Sequence, residues 1–195
     1  MTKALENLWK RIEDVLETQE PEAIFELFEK TMAEGNEEKI NKHELYYAAG
    51  YVGYMHPEGK KNTSVRKQTK EALTLSLFYH PGFLPSVLYL AFIKMDEMSC
   101  LDALGLLFSC NRNVGIHSDQ LIDRYVEATV CCLVECGFWS KALLELEWFD
   151  QRVKKDAQVG MDLINFMRLI EKVDPLNKLQ ENVLRKIQSI LECEF

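Results

Sequence analysis

Cys132 and Cys136 stand one helical turn apart, the spacing at which two thiolates on one helix face can share a metal ion. No second Cys or His pair at zinc spacing accompanies them. Cys100, Cys110, Cys131 and Cys193 are dispersed without a CxxC, and His43, His56, His80 and His117 are scattered along the chain. The six cysteines therefore read as small, reduced, buried hydrophobes, and neither a metal nor a cofactor is expected. Catalytic signatures fail in the same way, since there is no Gly-rich phosphate loop, no HExxH and no G-x-S-x-G. A Cys–His nucleophile pair meets only in space, so an enzyme with an unrecognised site is the third-ranked reading behind two binding functions.

Three surface features could carry binding. Asp119, Asp123, Glu127, Cys131 and Glu135 follow one another every four residues, so one helix ridge is acidic at four of five positions. Like charges at this spacing cost a helix about 0.2–0.5 kcal/mol per pair. A basic partner would relieve that cost, and water would also solvate the ridge. The second feature is KKNTSVRKQTK, Lys60 to Lys70, which holds five bases and no acid. It reads as an exposed loop and helix start that pairs with the chain's own acids. The third is YYAAGYVGYM, Tyr46 to Met55, where Gly50 and Gly53 interrupt a helical pattern at about 1 kcal/mol each. Close approach of a neighbouring helix would offset that cost, leaving Tyr47, Tyr51 and Tyr54 either buried or as rigid contact residues at an interface.

The elements that must hold these residues are helices. The 195 residues include only 9 glycines and 5 prolines, and the stretches between them are rich in Leu, Glu, Lys and Ala, which lose least on entering a helix. Leu5, Leu8, Trp9, Ile12, Val15 and Leu16 form a first amphipathic stripe, and Glu20-Pro21 starts a second carrying Ile24, Phe25, Leu27 and Phe28. Further helices are expected from about Glu37 to Met55, from about Ser64 to Tyr79, and after the turn HPGF. A sixth follows the capping box Ser99–Asp102, a seventh runs from Ser118 to Cys136-Gly137, and an eighth is capped by Ser140. The Ala157 region opens a ninth and Asp174-Pro175 a tenth. The fold class is all-α, about ten helices in stacked antiparallel hairpins forming a single domain over 1–195. Ala72 to Ile93 lacks charge for 22 residues, but His80, Pro81, Gly82 and Pro85 fall inside it, which places a turn there and not a membrane span.

An Ala followed by apolar residues at helical spacing recurs at Ala23, Ala72, Ala103 and Ala142, each in the second helix of a pair. In LYLAFIKMDEMSCLDALGLLF, Ala91 and Ala103 stand twelve apart; in RYVEATVCCLVECGFWSKALLELEWF, Ala142 recurs with Val130 at the earlier position. Over about residues 85–150 this resembles tetratricopeptide-type helical repeats, although the family's helix A aromatics and closing Pro are absent. The resemblance implies an α-solenoid-like stack with Asp119, Asp123, Glu127 and Glu135 on the face that lines the concave groove. The crowded stretch ECGFWSKALLELEWFD then reads as a hairpin turn plugged by Phe138 and Trp139, with Phe149 and Trp148 filling two packing interfaces.

A net charge of −8 disfavours general nucleic-acid or anionic-membrane binding and suits a basic protein partner. The N-terminal MTKALENLWKRIEDVLE offers no apolar run before a small-residue cleavage site, so a cytoplasmic location is expected. The expected function is non-enzymatic binding of another protein, most concretely as a cognate inhibitor or immunity protein neutralising a basic toxin domain. The alternative binding function is a tetratricopeptide-like scaffold or chaperone taking peptide segments.

Overall fold

Sequence rich in helix formers becomes helix over most of the described residues. The computed structural model describes residues 25–30, 41–57, 59, 61–110, 119–152 and 177–192, and no strand occurs among them. The helices are α1 (25–30), α2 (Lys42–Met55), α3 (Thr63–Tyr79), α4 (Leu84–Asp96), α5 (Cys100–Ser109), α6 (Asp119–Glu135), α7 (Trp139–Arg152) and α8 (Lys178–Glu192). Eight helices thus lie among the described residues, against about ten expected. The stripe at 5–16, Glu20-Pro21 and Ile24, Ser118, the Ala157 region and Asp174-Pro175 fall outside the described residues.

Several helix starts differ from expectation for local reasons. Asn41 is extended, so α2 begins at Lys42 and not near Glu37. Asn62 caps α3, its Oδ1 accepting from the Ser64 and Val65 amides at 2.9 and 3.2 Å. α5 starts at Cys100, directly after Ser99 as expected, but the capping box itself does not form. Ser99 Oγ instead donates to Asp102 Oδ2 at 2.8 Å, while the Ser99 amide is engaged by the Lys94 carbonyl at 2.8 Å. Ser140 lies inside the first turn of α7, which starts at Trp139. Asn177 caps α8, its Oδ1 accepting from the Leu179 and Gln180 amides at 3.0 Å each.

The chain divides into two units, Met1–Ile93 and Lys94–Phe195, the division falling inside α4. In the first, α2 packs on α3 over a core that includes Phe25, Phe28, Val52, Val65 and Ala72. A Cβ on Gly50 would collide with the Leu73 side chain, and one on Gly53 with Thr69 and, at 2.9 Å, with Phe25 Cζ. Close helix approach is therefore the reason for both glycines, as the sequence implied. A buried polar chain ties three helices together: Ser86 Oγ donates to Ser76 Oγ and Ser76 Oγ to the His43 carbonyl, both at 2.7 Å. Arg66 adds a bond from its guanidinium to the Ile93 carbonyl at 3.2 Å, one of the orphan acceptors near the α4 C-terminus. In the second unit α5 packs on α6, α6 on α7 and α7 on α8, with Leu107, Ile122, Leu133, Leu146, Phe149 and Ile187 buried. Tyr125 fixes the α5–α6 pair by donating its hydroxyl to the Leu107 carbonyl at 3.0 Å.

Two turns in this part of the chain share one geometry. After α4, Met98 takes a left-handed φ of 58°, its amide bonding the Met95 carbonyl and the Ser99 amide the Lys94 carbonyl. After α6, Gly137 takes φ 77°, its amide bonding the Val134 carbonyl and the Phe138 amide the Leu133 carbonyl. Both are the paired 6→1 and 5→2 closure of a helix end. Ala103 and Ala142 each follow five residues after the left-handed residue, and both are fully buried.

Candidate functional site

The turn HPGF explains where aromatic side chains gather. Pro81 fixes the first inner position, Gly82 takes φ 77°, and the Phe83 amide closes on the His80 carbonyl at 3.1 Å. This tight reversal returns the chain from α3 to α4 and sets the end of α3 beside the start of α2. His43 and His80 then lie 4.8 Å apart between ring centroids, and Phe83 packs edge-on against both, at 4.9 Å from His43 and 5.6 Å from His80. Tyr46 and Tyr79 stack nearly parallel, 5.6 Å apart with 4° between planes, and the Lys42 ammonium sits 5.5 Å from the Tyr79 ring centre.

This cluster reaches the surface. Phe78 is 76% exposed and edge-on to Tyr79, which is itself exposed with Leu75 and His80. Burial, reinforced by the neighbouring His80 and opposed by Glu44, holds His43 below the usual histidine range. Burial and the adjacent Tyr79 push the Tyr46 hydroxyl up. Such a patch offers flat rings, two imidazoles and one ammonium on helices with fixed backbones, which is the chemistry of a recognition surface.

Tyr47, Tyr51 and Tyr54 prove to be partly buried and gathered round Tyr89 of α4, at 6.1, 5.1 and 5.4 Å between ring centres. Phe83 and Phe92 extend this group, at 5.6 Å from Tyr47 and 6.3 Å from Tyr54. The sequence placed these tyrosines between burial and interface, and their rings pack chiefly on α4. What sequence reasoning missed is the patch beside them. Phe78-Tyr79-His80 lies just before the Pro81 turn, a position that signals helix termination but not which neighbour the rings will meet.

The acidic row is not one uniform ridge. Asp119 begins α6, Asp123 is half-buried, Glu127 is buried at 6% exposure, Cys131 is buried and Glu135 is exposed. A macromolecule approaching this helix meets Glu135 and part of Asp123, while Glu127 belongs to the packing. Within the basic segment, Arg66 serves the α4 carbonyl and Lys67 pairs with Glu71 at 3.8 Å, so intramolecular pairing takes up two of its bases. In ECGFWSKALLELEWFD, Phe149 is buried and Trp148 half-buried, whereas Leu144 and Phe138 are exposed, the latter under the Lys141 ammonium at 5.4 Å.

Among the described residues no three His, Cys, Asp or Glu side chains converge as a metal site, and no helix is long and apolar enough to cross a membrane. Comparison with family models, characterised proteins and solved structures finds no match.

Proposed function

We propose that this chain acts without catalysis by binding another protein through the aromatic patch at the α2–α3 end, and that the partner is basic. The observation that carries this reading is the exposed Phe78–Tyr79 pair backed by the Tyr46 stack. Large rings held rigidly at a surface lose little conformational entropy on binding and supply most of the energy of many interfaces. The partner's sign follows from net charge: the chain carries −8 overall, so Lys and Arg of a partner meet long-range attraction. In its most concrete form the protein is a cognate inhibitor or immunity protein that covers a basic toxin domain.

A tetratricopeptide-like scaffold is the second reading, favoured by the matching turns at Met98 and Gly137 and by the equivalent buried Ala103 and Ala142. Affinity capture followed by titration of the recovered partner separates the two. An inhibitor gives one tight partner whose affinity falls steeply with salt, and Phe78→Ala weakens it at least about tenfold, the loss of one central aromatic contact. Several weak peptide partners, unaffected by Phe78→Ala, would favour the scaffold. A single partner indifferent to both salt and Phe78→Ala would overturn the proposed surface.

A further inference from the structure

His43 lies in the first turn of α2 and His80 directly follows α3, yet their ring centres stand 4.8 Å apart with 43° between planes. Phe83 packs edge-on against both rings, at 4.9 and 5.6 Å, and meets Tyr47 of α2 at 5.6 Å. Ser76 pins the two backbones: its hydroxyl donates to the His43 carbonyl at 2.7 Å, and its carbonyl accepts from the His80 amide at 2.9 Å. The imidazoles therefore part by rotation of a side chain and not by sliding of a helix. His43 is half-buried and His80 exposed, so His80 is the ring with room to swing out. We propose that the His43–His80 pair is an acid-sensitive latch on the aromatic patch, closed while the rings are uncharged and opened when both carry charge, His80 then turning to solvent and leaving Phe83 without that contact.

The charges around His43 set the direction of the response. From α2 come Lys42, whose ammonium sits 5.5 Å from the Tyr79 ring centre, and Glu44, whose carboxylate accepts from Asn41 Nδ2 at 3.1 Å. Tyr46 of α2 and Tyr79 of α3 add phenols, His80 adds the second imidazole, and the turn into α4 presents the uncharged Phe83. Burial, then His80, holds His43 below the usual histidine range, with Glu44 opposing. The second proton thus sets two imidazolium rings in contact, beside Lys42 and against one carboxylate. Partial burial leaves little water between them to screen the repulsion, and rotating the exposed ring into solvent relieves it. The consequence for a partner rests on the binding surface proposed above: two added positive charges on that patch repel a basic protein, so acid releases it.

The test follows the imidazole and Phe83 ring protons of the full chain by NMR from pH 8 to pH 5. His80→Gln serves as the variant that keeps a polar side chain and cannot take a charge. At pH 7.5 nuclear Overhauser contacts should join both imidazoles to each other and to Phe83. At pH 5 the contacts of His80 should be lost while the amide spectrum stays dispersed. In His80→Gln the His43 titration midpoint should move up toward the ordinary histidine value, and the contact between His43 and Phe83 should persist at pH 5. Contacts that survive with both rings protonated, a His43 midpoint unmoved by His80→Gln, or a general loss of amide dispersion by pH 5 would each overturn the latch. No partner enters these measurements, so failure of the proposed binding surface, read by Phe78→Ala, is seen separately.

Discussion

Met98 holds a left-handed conformation that costs a residue with a Cβ about 1–2 kcal/mol, and its side chain is 85% exposed, so packing offsets little of that cost. Gly137 solves the equivalent turn with no such strain. Met98→Gly should therefore stabilise the chain by about 1 kcal/mol, seen as a higher urea midpoint with an unchanged slope. An unchanged or lower midpoint would mean that Met98 makes compensating contacts. His43 is the second residue whose environment sets a measurable quantity. Its folded pKa lies below the ordinary 6.5 because burial, and then His80, disfavour the imidazolium. Stability from this group is complete above pH 6.5 and declines as pH falls through the depressed folded value. Urea unfolding between pH 7.5 and 5 should show that decline, and His43→Gln should reduce it. An identical pH slope in the variant would assign the effect to other groups.

Helix faces respond to substitution according to what lies opposite them, and two glycines make the contrast. Gly50 faces Leu73 so closely that Gly50→Ala should cost about 1–3 kcal/mol through overpacking, despite the better helix propensity of Ala. Gly105 in α5 has open space within 4 Å of the point a methyl group would occupy, so Gly105→Ala should gain about 1 kcal/mol. Denaturant midpoints moving in opposite directions would confirm the α2–α3 contact; a stabilised Gly50→Ala would refute it. The same element scale shows why helix boundaries were only partly legible. Asn62 and Asn177 cap as their side-chain chemistry allows, but Ser99 is drawn to Asp102 because its own amide already closes the turn after α4. A capping sequence can thus mark a helix start, as Ser99 does for α5, without its reciprocal bonds forming.

Net charge acts on the whole molecule, and the acidic helix gives a way to test it. Asp123→Lys together with Glu135→Lys changes the chain by +4 (two acids, each moving from −1 to +1) without touching the buried Glu127, so association with a basic partner should slow and its salt dependence flatten. Stopped-flow association at low and moderate salt measures this; rates equal to the unmodified chain would remove α6 from the encounter surface. Glu127→Lys should behave differently. Reversing a charge at a buried position should destabilise the fold by at least about 3 kcal/mol, whether or not a partner is present.

Helicity and the position of most helices were legible in the residues alone, because propensity, apolar periodicity and turn residues act locally. So was the need for a close neighbour at Gly50 and Gly53, since glycine inside a helix has few other reasons. Which neighbour that is emerged only on folding, as did the inward turn of Glu127 beside an outward Glu135 and the exposure of Leu144. Folding likewise brings Tyr46 to Tyr79 and His43 to His80. These meetings depend on how one helix crosses another, and a crossing is set by side chains distant in sequence filling shared space, which no local pattern records.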